Sequence, residues 1–132
     1  MDLTWIAIPT VKDPRGNLAF LQNSELPFDL KRVFYLFDVP SGSSRGGHAL
    51  QHTHQIIVPL SGSFEVLLKT GKEETRVVLN NPTKGLLVPP MIWRELHHFS
   101  AGAVCLVLTS KEYDENDYIR EWTSFTRIVS LR

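Results

Sequence analysis

A chain of 132 residues with 14 basic and 14 acidic side chains carries no formal net charge and holds one cysteine. That length suits a single domain over residues 1–132 with one core, and the balanced charge leaves no basic face for nucleic acid or an anionic membrane. Lone Cys105 excludes an internal disulfide and, inside the apolar run Val104 to Leu108, reads as a packed thiol. The opening Met1-Asp2-Leu3-Thr4-Trp5 lacks the basic-then-apolar pattern of a secretion signal, and no apolar run is long enough to span a bilayer, so a cytoplasmic protein is expected.

Apolar residues come in short runs rich in β-branched and aromatic types, without the 3.6-residue spacing of an amphipathic helix. Trp5 to Ile8 predicts a first strand, Asp13-Pro14-Arg15-Gly16 a tight turn, and Asn17 to Gln22 a strand pairing back. After a loop around Pro27, Lys31 to Val39 is the longest strand, with Val33, Tyr35 and Phe37 on one face and Phe34 and Leu36 on the other. Arg45 to Leu50, Gln55 to Leu60, Ser63 to Lys69 and Glu74 to Leu79 form a meander. Leu86 to Val88, Trp93 to Phe99 and Ala103 to Thr109 follow, and only the tail from Tyr113 onward holds a helical turn or two. About ten strands at this spacing predict an all-β protein, a double-stranded jelly roll or a small barrel, ending in a short helical or irregular tail.

The five histidines fall in two short segments, His48, His52 and His54 in one and His97 with His98 in the other. Histidine changes charge near neutral pH, and this confinement suggests one site built from both segments. The first segment can be laid on the cupin metal pattern, but Leu50 and Gln55 stand where that pattern has a histidine and a glutamate. Both exchanges remove a good ligand, so no metal is expected. A rearranged site using a His52-x-His54 pair is the competing reading.

A larger ordered set covers nearly the whole chain: Asp13 with Arg15-Gly16, Lys31-Arg32-Val33 with Tyr35, Arg45-Gly46, His48-Ala49, Gln55, Gly62-Ser63, Gly85-Leu86, Trp93 with Glu95, Phe99-Ser100, and Tyr113-Asp114-Glu115 with Asp117-Tyr118-Ile119-Arg120. In this set the chain resembles the cupin-fold family of dTDP-4-keto-6-deoxyhexose 3,4-ketoisomerases (FdtA/QdtA, WxcM-like). The resemblance implies a metal-free, cofactor-free jelly roll that forms a homodimer by exchange of N-terminal strands. The implied reaction moves a sugar ketone from C4 to C3 by proton transfer through an enediol, in deoxyaminosugar biosynthesis, with thymidine diphosphate as the handle. Two departures stand out, His48-Ala49-Leu50 for the usual His-Ala-His and Trp93-Arg94-Glu95 for the usual Trp-His-Glu.

The expected catalytic set is therefore His48 as base or proton shuttle, Tyr35 as a phenolic relay, and His54 or His52 in place of the missing imidazole. The expected substrate-binding set is Arg45 and Arg94 for charge, Gln55 for a hydroxyl, Trp93 for the thymine ring and His97 along its strand. Each has a plain structural counterpart: a core tyrosine, loop histidines in water, a local salt bridge, a tryptophan in the core. The competing functions on the same fold are a nucleotide-sugar binding protein without turnover and a related sugar-nucleotide epimerase.

Overall fold

The computed structural model describes all residues from Met1 to Arg132. Twelve strands appear in chain order: β1 (Thr4–Ala7), β2 (Thr10–Val11), β3 (Leu18–Ala19), β4 (Arg32–Leu36), β5 (Arg45–Leu50), β6 (Gln55–Ser61), β7 (Phe64–Lys69), β8 (Glu74–Leu79), β9 (Lys84–Val88), β10 (Trp93–His97), β11 (Val104–Thr109) and β12 (Tyr118–Ile119). One helix, α1 (Trp122–Ser130), ends the chain. Two five-stranded antiparallel sheets, ordered β1-β9-β6-β11-β4 and β12-β5-β10-β7-β8, pack face to face as a cupin-type jelly roll, and β2 with β3 forms a separate hairpin.

Period-two alternation builds the core. Ile57 of β6, Val66 and Leu68 of β7, Leu86 of β9, Leu96 of β10 and Val107 of β11 point between the sheets and are fully or almost fully buried. Phe64 and Phe99 stack with ring centroids 5.2 Å apart. Strand β6 is buried on both faces: Ile56 and Val58 join Ile8 and Leu108 in a second cluster on the outside of the first sheet. Helix α1 covers the outside of the second sheet, where Phe125 packs on Ala49, Trp93 and Ile119.

Where the strands differ from expectation, the backbone gives the reason. The segment expected from Lys31 to Val39 stops at Leu36 because Asp38 adopts φ +55°, and the one expected from Trp93 to Phe99 stops at His97 because His98 adopts φ +56°. Asn17 to Gln22 shrinks to Leu18–Ala19 and pairs with β2 rather than with the first strand. The β6–β7 turn does need its glycine: Gly62 has φ +66°, and a Cβ there would stand 2.5 Å from Ser100 Oγ. Cys105 is fully buried and its thiol is pushed up to about 12 by burial, as a packed thiol should be.

Candidate active site

Strands β5 and β10 run antiparallel with His48 directly opposite Arg94. Alternation sends His48 and Leu50 of β5 toward the inside and Ala49 outward under α1. The inside face of β10 likewise carries Arg94 and Leu96. His48 and Arg94 line one wall of a cavity of about 280 Å³, together with Arg45, Tyr118 and Arg120, while Arg32, Phe34 and Leu36 of β4 supply the facing wall. Gly47 lets β5 lie close against Trp93 on its outer side, since a Cβ on it would lie 2.6 Å from that ring.

Charge in the cavity is one-sided. Arg32, Arg45 and Arg94 have no carboxylate within ion-pair distance. Arg94 is buried, its Nε donates to Gln55 Oε1 at 3.3 Å, and burial with nearby Arg45 lowers its pKa. Arg32 donates to the Tyr118 hydroxyl at 3.3 Å and lies over the Phe34 ring at 4.4 Å. Only Arg120 has a counter-charge: it donates twice to Glu115, at 2.6 and 2.8 Å, and holds that carboxyl down to about 2. A buried cation without an anion is costly unless a ligand completes it, so this cavity favours an anionic guest.

His48 is the cavity's one imidazole. Burial first, then the guanidiniums of Arg94 and Arg120, depress its pKa to about 3 against a smaller opposing effect of Glu115. Its ring is therefore neutral at physiological pH and holds a lone pair for a proton. Nε2 is buried without a hydrogen-bond partner, and the ring packs on Tyr118 with centroids 5.0 Å apart.

Of the residues expected from the sequence, the cavity gathers His48, Arg45 and Arg94, with Gln55 directly behind Arg94. Gln55 is buried, and its Nε2 has no partner. The others lie elsewhere. Tyr35 is 58% exposed on the outer face of β4, because the inward parity belongs to Arg32, Phe34 and Leu36. His52 is exposed in a bend where Asp117 accepts from the His52 backbone at 2.8 Å and from the Thr53 hydroxyl. His54 follows with its backbone N–H on Ser110 Oγ at 2.9 Å and its ring beside Phe28. The pair thus sits in a bend rather than a strand, and no three His, Cys, Asp or Glu side chains gather as a metal site.

Trp93 is corrected as well: it points away from the cavity into the cluster under α1, edge-on to Trp122 at 5.4 Å, with Nε1 on Glu95 at 2.9 Å. His97 shares that outer face, bonded to Glu95 at 2.8 Å and to Ser44 Oγ at 2.7 Å. Three polar residues of the cavity, Arg32, Tyr118 and Arg120, enter the sequence reading only through the family resemblance and carry no site role there. Arg32 shares the parity of Phe34 and Leu36, the face of β4 that turns inward. Tyr118 and Arg120 belong to a two-residue strand and its end, in the tail where a helical turn or two was expected.

The WxcM-like, C-terminal family (FdtA) matches residues 1–130. A TDP-4-oxo-6-deoxy-α-D-glucose-3,4-oxoisomerase from Aneurinibacillus thermoaerophilus is 41% identical over 119 residues, 89% of this chain and 86% of that protein. The sugar 3,4-ketoisomerase QdtA from Thermoanaerobacterium thermosaccharolyticum, solved in complex with TDP, superposes with a TM-score of 0.95 at 37% identity, over 98% of this chain and 96% of its own. Two Campylobacter jejuni structures each superpose at 0.89: a TDP-quinovose 3,4-ketoisomerase, 38% identical over 96% of this chain and 98% of its own, and a TDP-fucose-3,4-ketoisomerase, 36% identical over 97% and 96%. The protein thus belongs to the WxcM-like, C-terminal (FdtA) family of cupin-fold proteins.

Proposed function

We infer that this protein is a sugar-nucleotide isomerase that moves the ketone of a TDP-4-keto-6-deoxyhexose from C4 to C3, as a step of deoxysugar biosynthesis. The observation that carries the reading is a neutral, unpartnered imidazole in a cavity whose arginines Arg32, Arg45 and Arg94 have no carboxylate. The diphosphate supplies the missing negative charge and takes the planar donor forks of Arg45 and Arg94. At about 280 Å³ the cavity approaches the range of ~300–1,000 Å³ usual for small-molecule sites.

The chemistry needs a base for the C3 proton, donors for the enediolate oxygens, and a proton for C4. His48 is the base. A guanidinium stays protonated and holds an oxyanion without titrating, which suits Arg32 on the wall facing His48. Gln55 fixes the Arg94 fork through its carbonyl. Moving a ketone to the neighbouring carbon changes no net oxidation state, so the balance closes without a redox cofactor. The protein is incubated with the 4-keto sugar nucleotide in deuterated water and followed by NMR: loss of the C3 proton and appearance of the 3-keto sugar are expected. Binding of TDP with neither change would leave only a nucleotide-sugar binding protein.

The same reading takes residues 1–132 as one isomerase domain in the cytoplasm, acting as a strand-exchanged homodimer. No helix is long and apolar enough to cross a membrane. In the single chain β1 lies along β9, a contact that exchange would reproduce between subunits. An apolar groove of about 260 Å³ on the outer face of the first sheet, lined by Phe20, Val33, Leu60 and Leu106 among others, supports a covered surface there. Sedimentation at micromolar concentration checks it, with a dimer expected.

A further inference from the structure

The two C. jejuni neighbours, named for quinovose and fucose, are about equally similar to this chain, so similarity does not choose the configuration at C4. The walls of the cavity do. On the sheet that carries His48, the cavity also has Arg45, Arg94, Tyr118 and Arg120. The wall facing them offers only Phe34, Leu36 and the guanidinium of Arg32, none of which delivers a proton as an acid. The usual second imidazole is absent too, because Leu50 stands two residues along from His48 with the same parity. Base and phosphate donors therefore share one wall; the cavity's one other proton-bearing group, the Tyr118 hydroxyl, belongs to that wall and accepts from Arg32 at 3.3 Å, and the opposite wall has no acid of its own.

Substrate geometry fits that division. In an α-linked 4-keto-6-deoxyglucose nucleotide, the C3 hydrogen and the anomeric oxygen that bears the diphosphate lie on the same face of the ring. Holding the diphosphate on Arg45, Arg94 and Arg120 turns that face toward His48. We propose that His48 alone carries the proton between the two carbons, taking it from C3 and returning it to C4 on the same face, so that the product has an axial C4 hydroxyl, the galacto configuration. The C3–H bond breaks to the imidazole and its electron pair forms the C3–C4 double bond, while the carbonyl oxygen becomes an enediolate held by guanidinium. The hydroxyl proton passes from O3 to O4, the C3 carbonyl forms, and the imidazolium proton bonds to C4. One hydrogen moves between carbons and one between oxygens, with no outside reactant. The low proton affinity of His48 favours the second transfer.

This inference rests on the isomerase reading, and product configuration separates the two. The unlabelled 4-keto sugar nucleotide is turned over by the intact protein in ordinary water for the coupling, a second sample carrying deuterium at C3 is turned over for the label, and each product is read by NMR in place. A small H4–H5 coupling, from an axial C4 hydroxyl, is expected, and deuterium found at C4 marks the carried proton directly. A large H4–H5 coupling in the major product means delivery from the other face and overturns the one-face proposal while leaving the isomerase intact. TDP bound with no turnover overturns the isomerase reading itself, and this inference with it.

Discussion

The two faces of β10 hold two polar clusters of opposite character. Outward, Trp93 Nε1 donates to Glu95, Glu95 pairs with His97, His97 reaches Ser44, and Lys69 stands 3.6 Å from the same carboxylate. Every member has a partner. Inward, Arg94 has one long bond to Gln55, Gln55 Nε2 has nothing, and His48 Nε2 opposite them has nothing. Both clusters contain a histidine, but only the inner one leaves buried polar groups without partners. Polar groups that satisfy one another hold the fold, and those left unsatisfied await a substrate.

The sharpest break of this contrast is His48→Asn. Losing a positioned base should lower kcat by about 10²–10⁴-fold, with TDP affinity within a few-fold of wild type by calorimetry. Next comes Arg94→Met, which deletes a charge-assisted contact of about 1.5–3 kcal/mol. The KM for the sugar nucleotide should rise about 10–100-fold while Tm holds or rises, because a lone buried cation is removed. A fall in Tm would move Arg94 to the structural side. Glu95→Gln tests the outer cluster: stability should drop by about 1 kcal/mol in denaturant melts, with kcat unchanged, since the half-buried ion pairs of Glu95 touch no cavity group.

The last test is a pH signature, confined to acid conditions. His48 has a folded pKa near 3, below its ordinary 6.5, so between those values the unfolded chain binds the extra proton and the folded one does not. Its contribution therefore makes stability fall as pH drops from about 6.5 toward 3, and His48→Asn should flatten that part of the curve in acid titrations of Tm. The acid limb of kcat/KM due to His48 belongs near pH 3 and not near 6.5.

Much of this was legible in the sequence. Strand alternation and turn residues place ten of the twelve strands within a few residues, and the inside position of Arg94 follows from its even spacing to Leu96. That same spacing separates Arg94 from Trp93 and His97, which proximity to the histidines had grouped with it. Strand β4 was ambiguous for a physical reason: Val33, Tyr35 and Phe37 are as apolar as Phe34 and Leu36, so composition does not say which face is inside, and Tyr35 was placed on the wrong one. The role of the tail was hidden because β12 is two residues long and reaches β5 from 68 positions away, Tyr118 against Leu50. No local pattern announces such a pairing.

His48 is the group that takes the sugar proton. The most direct test is proton exchange at C3 with His48→Asn protein saturated with the 4-keto sugar nucleotide in deuterated water. No loss of the C3 proton over hours, with TDP still bound at near wild-type affinity, is the predicted result. Exchange at the wild-type rate would place the base on another residue and contradict the account.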